Sequence, residues 1–177
     1  ITAPMIPANV TSLNYTFGGC KSLTTAPVIP SSVTNMDSTF RGCENLKTYH
    51  GSTDPDGDFS KYVIPANVTE MRQTFSDCKD IEIAPDLSNC TKLIYMAHAF
   101  ARCTSLRVAP VIPESVENMV STFSECTSLS GTITINTNHI EKVMGDRIGD
   151  YVLGICYRCF NGVDMTNITL TGSASKD

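Results

Sequence analysis

Tryptophan is absent from the 177 residues, and phenylalanine and tyrosine together supply only 7% of them. Basic clusters are missing too. Thirteen Lys and Arg stand against eighteen Asp and Glu, for a formal net charge of -5, so the chain lacks the electrostatic footprint that binding a phosphate backbone needs, and nucleic acid is not an expected partner. No stretch approaches the roughly 18 continuous apolar residues of a membrane helix, so no transmembrane segment is read in this chain. A signal peptide, a Gly-rich phosphate loop and an H-E-x-x-H motif are all lacking, and His50, His98 and His139 have no Ser or Cys partner at a recognisable spacing. Neither an enzyme nor a cofactor is expected. What is present is 41% hydrophobic and 18% charged residues, an ordinary globular balance. Thr, Ser and Asn account for 49 residues, which with the low aromatic content favours turn-rich and strand-rich structure over a helical bundle.

The chain repeats itself. Thr25-Ala26-Pro27-Val28-Ile29-Pro30 returns as Thr2-Ala3-Pro4-Met5-Ile6-Pro7 and as Val108-Ala109-Pro110-Val111-Ile112-Pro113. Downstream, Val33, Met36, Phe40 and Cys43 recur as Val10, Leu13, Phe17 and Cys20, as Val68, Met71, Phe75 and Cys78, and as Val116, Met119, Phe123 and Cys126. Leu93, Met96, Phe100 and Cys103 make a fifth copy, and Leu153, Cys156, Phe160 and Val163 a weaker sixth. The unit is 23 residues, with long insertions near 50–61 and 137–150. A unit of this size cannot close a core alone, so coils must stack, which is the mark of a leucine-rich-repeat solenoid. The expected fold is therefore an α/β repeat slab, residues 1–177 forming a single domain with a parallel sheet on one face.

Comparing coils column by column assigns the faces. The Leu23 and Ile29 columns never carry a charge, whereas the Thr24 column holds Glu82 and Arg107 and the Val28 column holds Asp86. A period of two then points Leu23 and Ile29 inward and Thr24, Ala26 and Val28 outward. In a later coil Leu129, Ile133 and Ile135 alternate with Ser130, Thr132 and Thr134 in the same way. Val33, Met36 and Phe40 stand at i, i+3 and i+7, the spacing of one face of a short helix, so each coil reads as one strand plus one short helix. Seven rungs at about 4.8 Å predict a slab on the order of 30 Å long. Ile1 falls in the Thr24 column, so the chain opens in mid-coil. The expectation is a fragment or processed chain that lacks an N-terminal segment and continues into further coils or domains.

The pattern Phe-x-x-Cys-x-x-Leu followed by an Ile-Pro-x-x-Val step, clearest at Phe17–Leu23, Phe40–Leu46, Phe100–Leu106 and Phe123–Leu129, resembles the BspA-like class of leucine-rich repeats. That resemblance implies an exported bacterial protein, secreted or held at the cell surface, that adheres to host or neighbouring-cell proteins or glycans. The Ala-Pro step before Ile-Pro and the two long insertions depart from the common pattern.

Several features invite a chemical reading. Five of the eight cysteines fill one repeat column that Val163 also occupies, so they read as small buried hydrophobes forming a ladder of unpaired thiols. Cys156-Tyr157-Arg158-Cys159 is a C-x-x-C, a redox or zinc pattern elsewhere. With no second pair, and with Cys156 in the Met36 column, the expectation is a buried Cys156 and an incidental Cys159. Asp54, Asp56 and Asp58 offer calcium-type ligands but lack the EF-hand spacing, and a surface turn is the better reading. Asn9, Asn14, Asn67, Asn89 and Asn167 head Asn-x-Ser/Thr triplets that would permit N-glycosylation in a eukaryotic secretory pathway.

The outward columns carry the functional expectation. Ala3, Ala26, Ala84 and Ala109 beside Met5, Val28, Val63 and Val111 predict a smooth apolar stripe bordered by Glu82, Asp86, Arg107 and threonines, to be covered either by a partner or by one of the long insertions, residues 50–61 or 137–150. The candidate ligand-binding residues are Thr24, Ala26, Val28, Glu82, Asp86, Arg107, Val111, Thr132 and Thr134. The expected function is non-enzymatic recognition or adhesion outside the cell, and the alternative is a structural spacer in a larger surface protein.

Overall fold

The computed structural model describes residues 1–52, 58–136 and 156–172. Each 23-residue unit is one coil, and coils stack through two separate parallel ladders. On the strand side Thr2 bridges Thr25, β1 (Thr25–Ala26) pairs with β2 (Thr48–Tyr49), and Asp58 bridges Ile83, which bridges Val108. The ladder ends in β3 (Gly131–Ile135) paired with β4 (Ile168–Gly172). On the opposite side Ser12, Asn35, Glu70, Tyr95 and Asn118 bridge in succession, also in parallel.

The helix expected in each coil does not form; among the described residues the only helix is a 3-10 turn at Met165–Asn167. Three overlapping turns take its place. The N–H groups of Thr39, Arg41 and Cys43 reach back three residues to Met36, Ser38 and Phe40, while those of Met36, Ser38, Phe40 and Gly42 donate to Glu70, Arg72, Thr74 and Ser76 in the next coil. A helix would need all of these donors for its own i−4 carbonyls. The first and last of these turns also each hold a left-handed residue, which interrupts a helix. One such column holds Tyr15, Ser38, Gln73, His98, Ser121 and Arg158, and the other holds Gly19, Gly42, Asp77, Arg102, Glu125 and Gly162. The i, i+3, i+7 spacing serves these turns as well as it would serve a helix, and Val33, Met36, Phe40 and Cys43 are all fully buried.

The core is a set of side-chain ladders running along the stack. Phe17, Phe40, Phe75, Phe100, Phe123 and Phe160 form five successive stacked pairs, with centroids 5.5–5.8 Å apart and planes within 6–19°. These are offset-stacked geometries, favourable beyond the area they bury. Beside them Cys43, Cys78, Cys103 and Cys126 each donate a thiol hydrogen to the phenylalanine carbonyl of the preceding coil at 3.0–3.1 Å. Buried Thr39, Thr74 and Thr122 hydroxyls close further carbonyls, both within and between coils.

The first insertion adds a layer. Between Thr25 and Ile83 the strand side holds both Thr48 and Asp58, whereas on the turn side Asn35 bridges Glu70 directly. The extra space is filled by Tyr49, Phe59 and Tyr62, whose rings lie 5.3–5.7 Å apart. Tyr62 is buried and donates its hydroxyl to the Pro27 carbonyl at 2.7 Å.

Candidate interaction surface

The strand side places most of the sequence-predicted residues on the surface, with one exception. Ala26 is fully buried, with Ala84 nearly so, and Ala3 and Ala109 are half-buried. The reason is local: β1 lasts only two residues, Pro27 follows with no N–H to extend it, and Ala26 and Pro27 both turn into the core. The predicted stripe therefore reduces to its outer column, Met5 (92% exposed), Val28 (63%), Val63 (74%) and Val111 (41%). Asp86 interrupts that column, and its carboxylate accepts from the Ser88 N–H and hydroxyl at 2.9 and 2.8 Å.

The flanking polar columns pair along the stack. Arg107 meets Glu82 at 2.9 Å, Thr25 shares a hydrogen bond with Thr48, and Thr134 shares one with Thr171. Thr24 accepts from the Ile1 amino group and is half-buried, and Thr132 is exposed. Past Val111, an open cleft of about 780 Å³ is lined by Ser88, Thr91, Glu114 and Asn136, a set of hydrogen-bonding groups beside one apolar wall.

The turn side carries a charged network that the helix reading hid. Arg72 bridges Asp37 and Glu70, its guanidinium lies 4.4 Å above the Tyr95 ring, and Asn35 donates to Glu70. Asp77 pairs with Arg102, whose hydrogen bonds hold the Asp77 carboxyl below its usual range. Lys21 and Lys79 clasp Glu44 from the two neighbouring coils, and their hydrogen bonds lower its carboxyl in the same way. The only sequence signal for these pairs was opposite charge in one repeat column, as at Asp77, Arg102 and Glu125.

The cysteine ladder is present. Cys20, Cys43, Cys78, Cys90, Cys103 and Cys126 are free, all buried except Cys20. Burial pushes the Cys43 and Cys126 thiols up to about 12 and Cys90 to about 11, so these groups are packed rather than poised as nucleophiles. Cys159 is not incidental. It is buried and disulfide-bonded to Cys156, because the turn brings the two Cα atoms to 5.0 Å, within bridging distance. Its column holds Thr39, Thr74, Ala99 and Thr122, every one buried, which was the signal for an inward position.

Asp54, Asp56 and His139 lie outside the described residues. Asp58 caps a turn by accepting from the Ser60 N–H at 2.7 Å. No cluster of three metal-ligating side chains occurs among the described residues. No helix there is long and apolar enough to cross a membrane. The five Asn-x-Ser/Thr asparagines are all exposed.

Comparison with solved structures returns leucine-rich-repeat proteins. One, from Bacteroides ovatus ATCC 8483, is 22% identical with a TM-score of 0.45, over 75% of this chain and 41% of that one. The leucine-rich-repeat protein of T. pallidum is 18% identical with a TM-score of 0.41, over 74% of this chain and 71% of its own. The chain thus spans about two fifths of the Bacteroides protein. No curated protein matches it in sequence. The resemblance to BspA-like leucine-rich repeats stands, and the two ladders display the repeat directly. Residues 7–111 match a family model, so the chain belongs to the family described as Mycoplasma protein of unknown function, DUF285.

Proposed function

We propose that the chain is a non-enzymatic recognition module that acts outside the cell and binds a host or neighbouring-cell protein or glycan through its strand side. The observation that supports this is the exposed row of Met5, Val28, Val63 and Val111, flanked by Glu82, Asp86, Arg107 and Thr132 and opening at Val111 into the cleft of mixed lining. Apolar side chains held in water along a rigid stack suit a partner that covers them. The test is binding to immobilised fibronectin, fibrinogen, collagen, mucin and a glycan panel, with Val28→Lys and Val111→Lys beside the parent chain. Saturable binding that both variants lose supports the reading. Binding that both variants retain moves the ligand off this side. A structural spacer is the second reading, favoured by the half-buried apolar residues of the two end coils.

A further inference from the structure

We propose that the cleft beside Val111 holds a basic segment of a protein partner, with a Lys or Arg stem lying along Val111 and Pro113 and its charged head at Glu114. The inference rests on the strand-side reading above and narrows its ligand from a protein or glycan to a protein.

The cleft marks a local departure from the repeat. Phe75 and Phe100 are 25 residues apart rather than 23, and the two extra residues fall at the corner after Leu87. There the Cys90 N–H returns to the Leu87 carbonyl and the Thr91 N–H to the Asn89 carbonyl, while Asp86 caps the bend through the Ser88 N–H and hydroxyl. The corners of this coil and the next align, since Leu93 donates to Cys90 as Val116 does to Pro113. In the next coil Ile112 leads straight into Pro113, Glu114 and Ser115. An enlarged corner carrying Ser88 and Thr91 thus stands beside a smaller one carrying Glu114 and Ser115, and both line the cleft of about 780 Å³. Such a volume takes a few residues of chain rather than one side chain.

Charge selects the occupant. The Glu114 carboxylate is exposed, meets no cation and accepts no hydrogen bond among the described residues, and Asp86 lacks a cation as well. The neighbouring cations are engaged elsewhere. Lys92 donates to Asn67 in the preceding coil at 2.9 Å, and Arg107 pairs with Glu82. A ligand that covers Glu114 strips water from its carboxylate, which costs free energy unless a cation replaces that water. A neutral sugar supplies no cation, and an anionic glycan adds repulsion from Asp86 and Glu114. A Lys or Arg side chain brings the charge at its tip and an aliphatic stem for the wall of Val111 and Pro113. The Thr91 hydroxyl and the Asn136 amide remain to bond the backbone of the segment.

The test is titration of the isotope-labelled chain with three probes, followed by nuclear magnetic resonance. The probes are the end-blocked peptide Thr-Lys-Val-Lys-Gly, the same peptide acetylated on both lysines, and chitotriose. The lysine peptide should shift the amide signals of Ser88, Thr91, Glu114, Ser115 and Asn136, and less so as salt is raised. The other two probes should leave those signals in place. Glu114→Gln should weaken the peptide about tenfold, whereas Glu125→Gln, the same charge change at an exposed site on the turn side, should keep its affinity within about twofold. Equal affinity for the acetylated peptide or for chitotriose overturns the proposal, as does equal weakening by the two variants. Absence of any shift in these signals up to about 10 mM lysine peptide overturns it as well. The strand-side reading is judged separately, by whether Val28→Lys, outside the cleft lining, loses the immobilised panel.

Discussion

Replacing Phe75 by Ala should destabilise the fold by about 4–5 kcal/mol, at the top of the range for burying and then deleting an aromatic ring. Phe75 has no exposed surface, is stacked at 5.5 Å on Phe40 and on Phe100, and receives the edge of Phe59 at 6.3 Å. Phe17 occupies the same column at the end of the row, with one stacked neighbour and 8% exposure. Its replacement loses one stacked pair rather than two, a difference of about 0.5–1.5 kcal/mol, and leaves a void that the end coil can partly collapse into. Phe17→Ala should therefore cost only about 3 kcal/mol. The assay is urea denaturation followed by far-ultraviolet circular dichroism. A second readout comes from its slope, because coils communicate only with their neighbours. A gap at Phe75 uncouples the two halves of the stack and should lower the apparent m-value, whereas a gap at Phe17 should not. Equal losses from the two variants, with unchanged slopes, would refute the view that an unbroken aromatic row holds the coils together.

Other outcomes follow from named contacts. Glu125 is exposed and left-handed at φ 60, in a column where Gly19, Gly42 and Gly162 already stand. Glu125→Gly should relieve about 1–2 kcal/mol of strain against about 0.5–1 kcal/mol of added unfolded-state freedom, a net gain visible as a higher urea midpoint. Because Arg102 lowers the Asp77 carboxyl, the pair's contribution is complete above the unfolded value of about 3.9 and is lost as pH falls through the folded value. Asp77→Asn should thus cost at most about 1 kcal/mol at neutral pH, after solvent screening, and should flatten the stability profile below pH 4. Native protein treated with a thiol reagent at mildly alkaline pH should show one fast group, Cys20, and the unreduced protein six in denaturant. Fast reaction of Cys78 or Cys103 would contradict their burial.

The repeat was legible because every coil buries the same columns. Phe40, Cys43 and Leu46 announce their burial by recurring, and their environment varies little from coil to coil. The overlapping turns were not legible from spacing, since a helix and a run of such turns both bring Met36 and Phe40 to one side. The distinction lies in where the backbone donors go, and the next coil takes half of them. Ala26 was misplaced because a two-residue strand is too short for alternation to persist past it. The surface network around Arg72 draws on two columns, with Asp37 one coil away in its own column and Glu70 two residues back in its own coil. Asp37 and Arg72 do share a repeat column, directly after Met36 and Met71, so their opposite charges were a signal, whereas Glu70 joins them from the neighbouring column.

The first insertion lengthens the strand side alone. Asp58 and Phe59 lay one additional course there, about 4.8 Å high, where Asn35 and Glu70 on the turn side remain in direct contact. The rings of Tyr49, Phe59 and Tyr62 fill that course, and the Tyr62 hydroxyl ties it to the Pro27 carbonyl. Met5 and Val28 precede the added course and Val111 follows it, so a partner that spans all three must also cross the insertion.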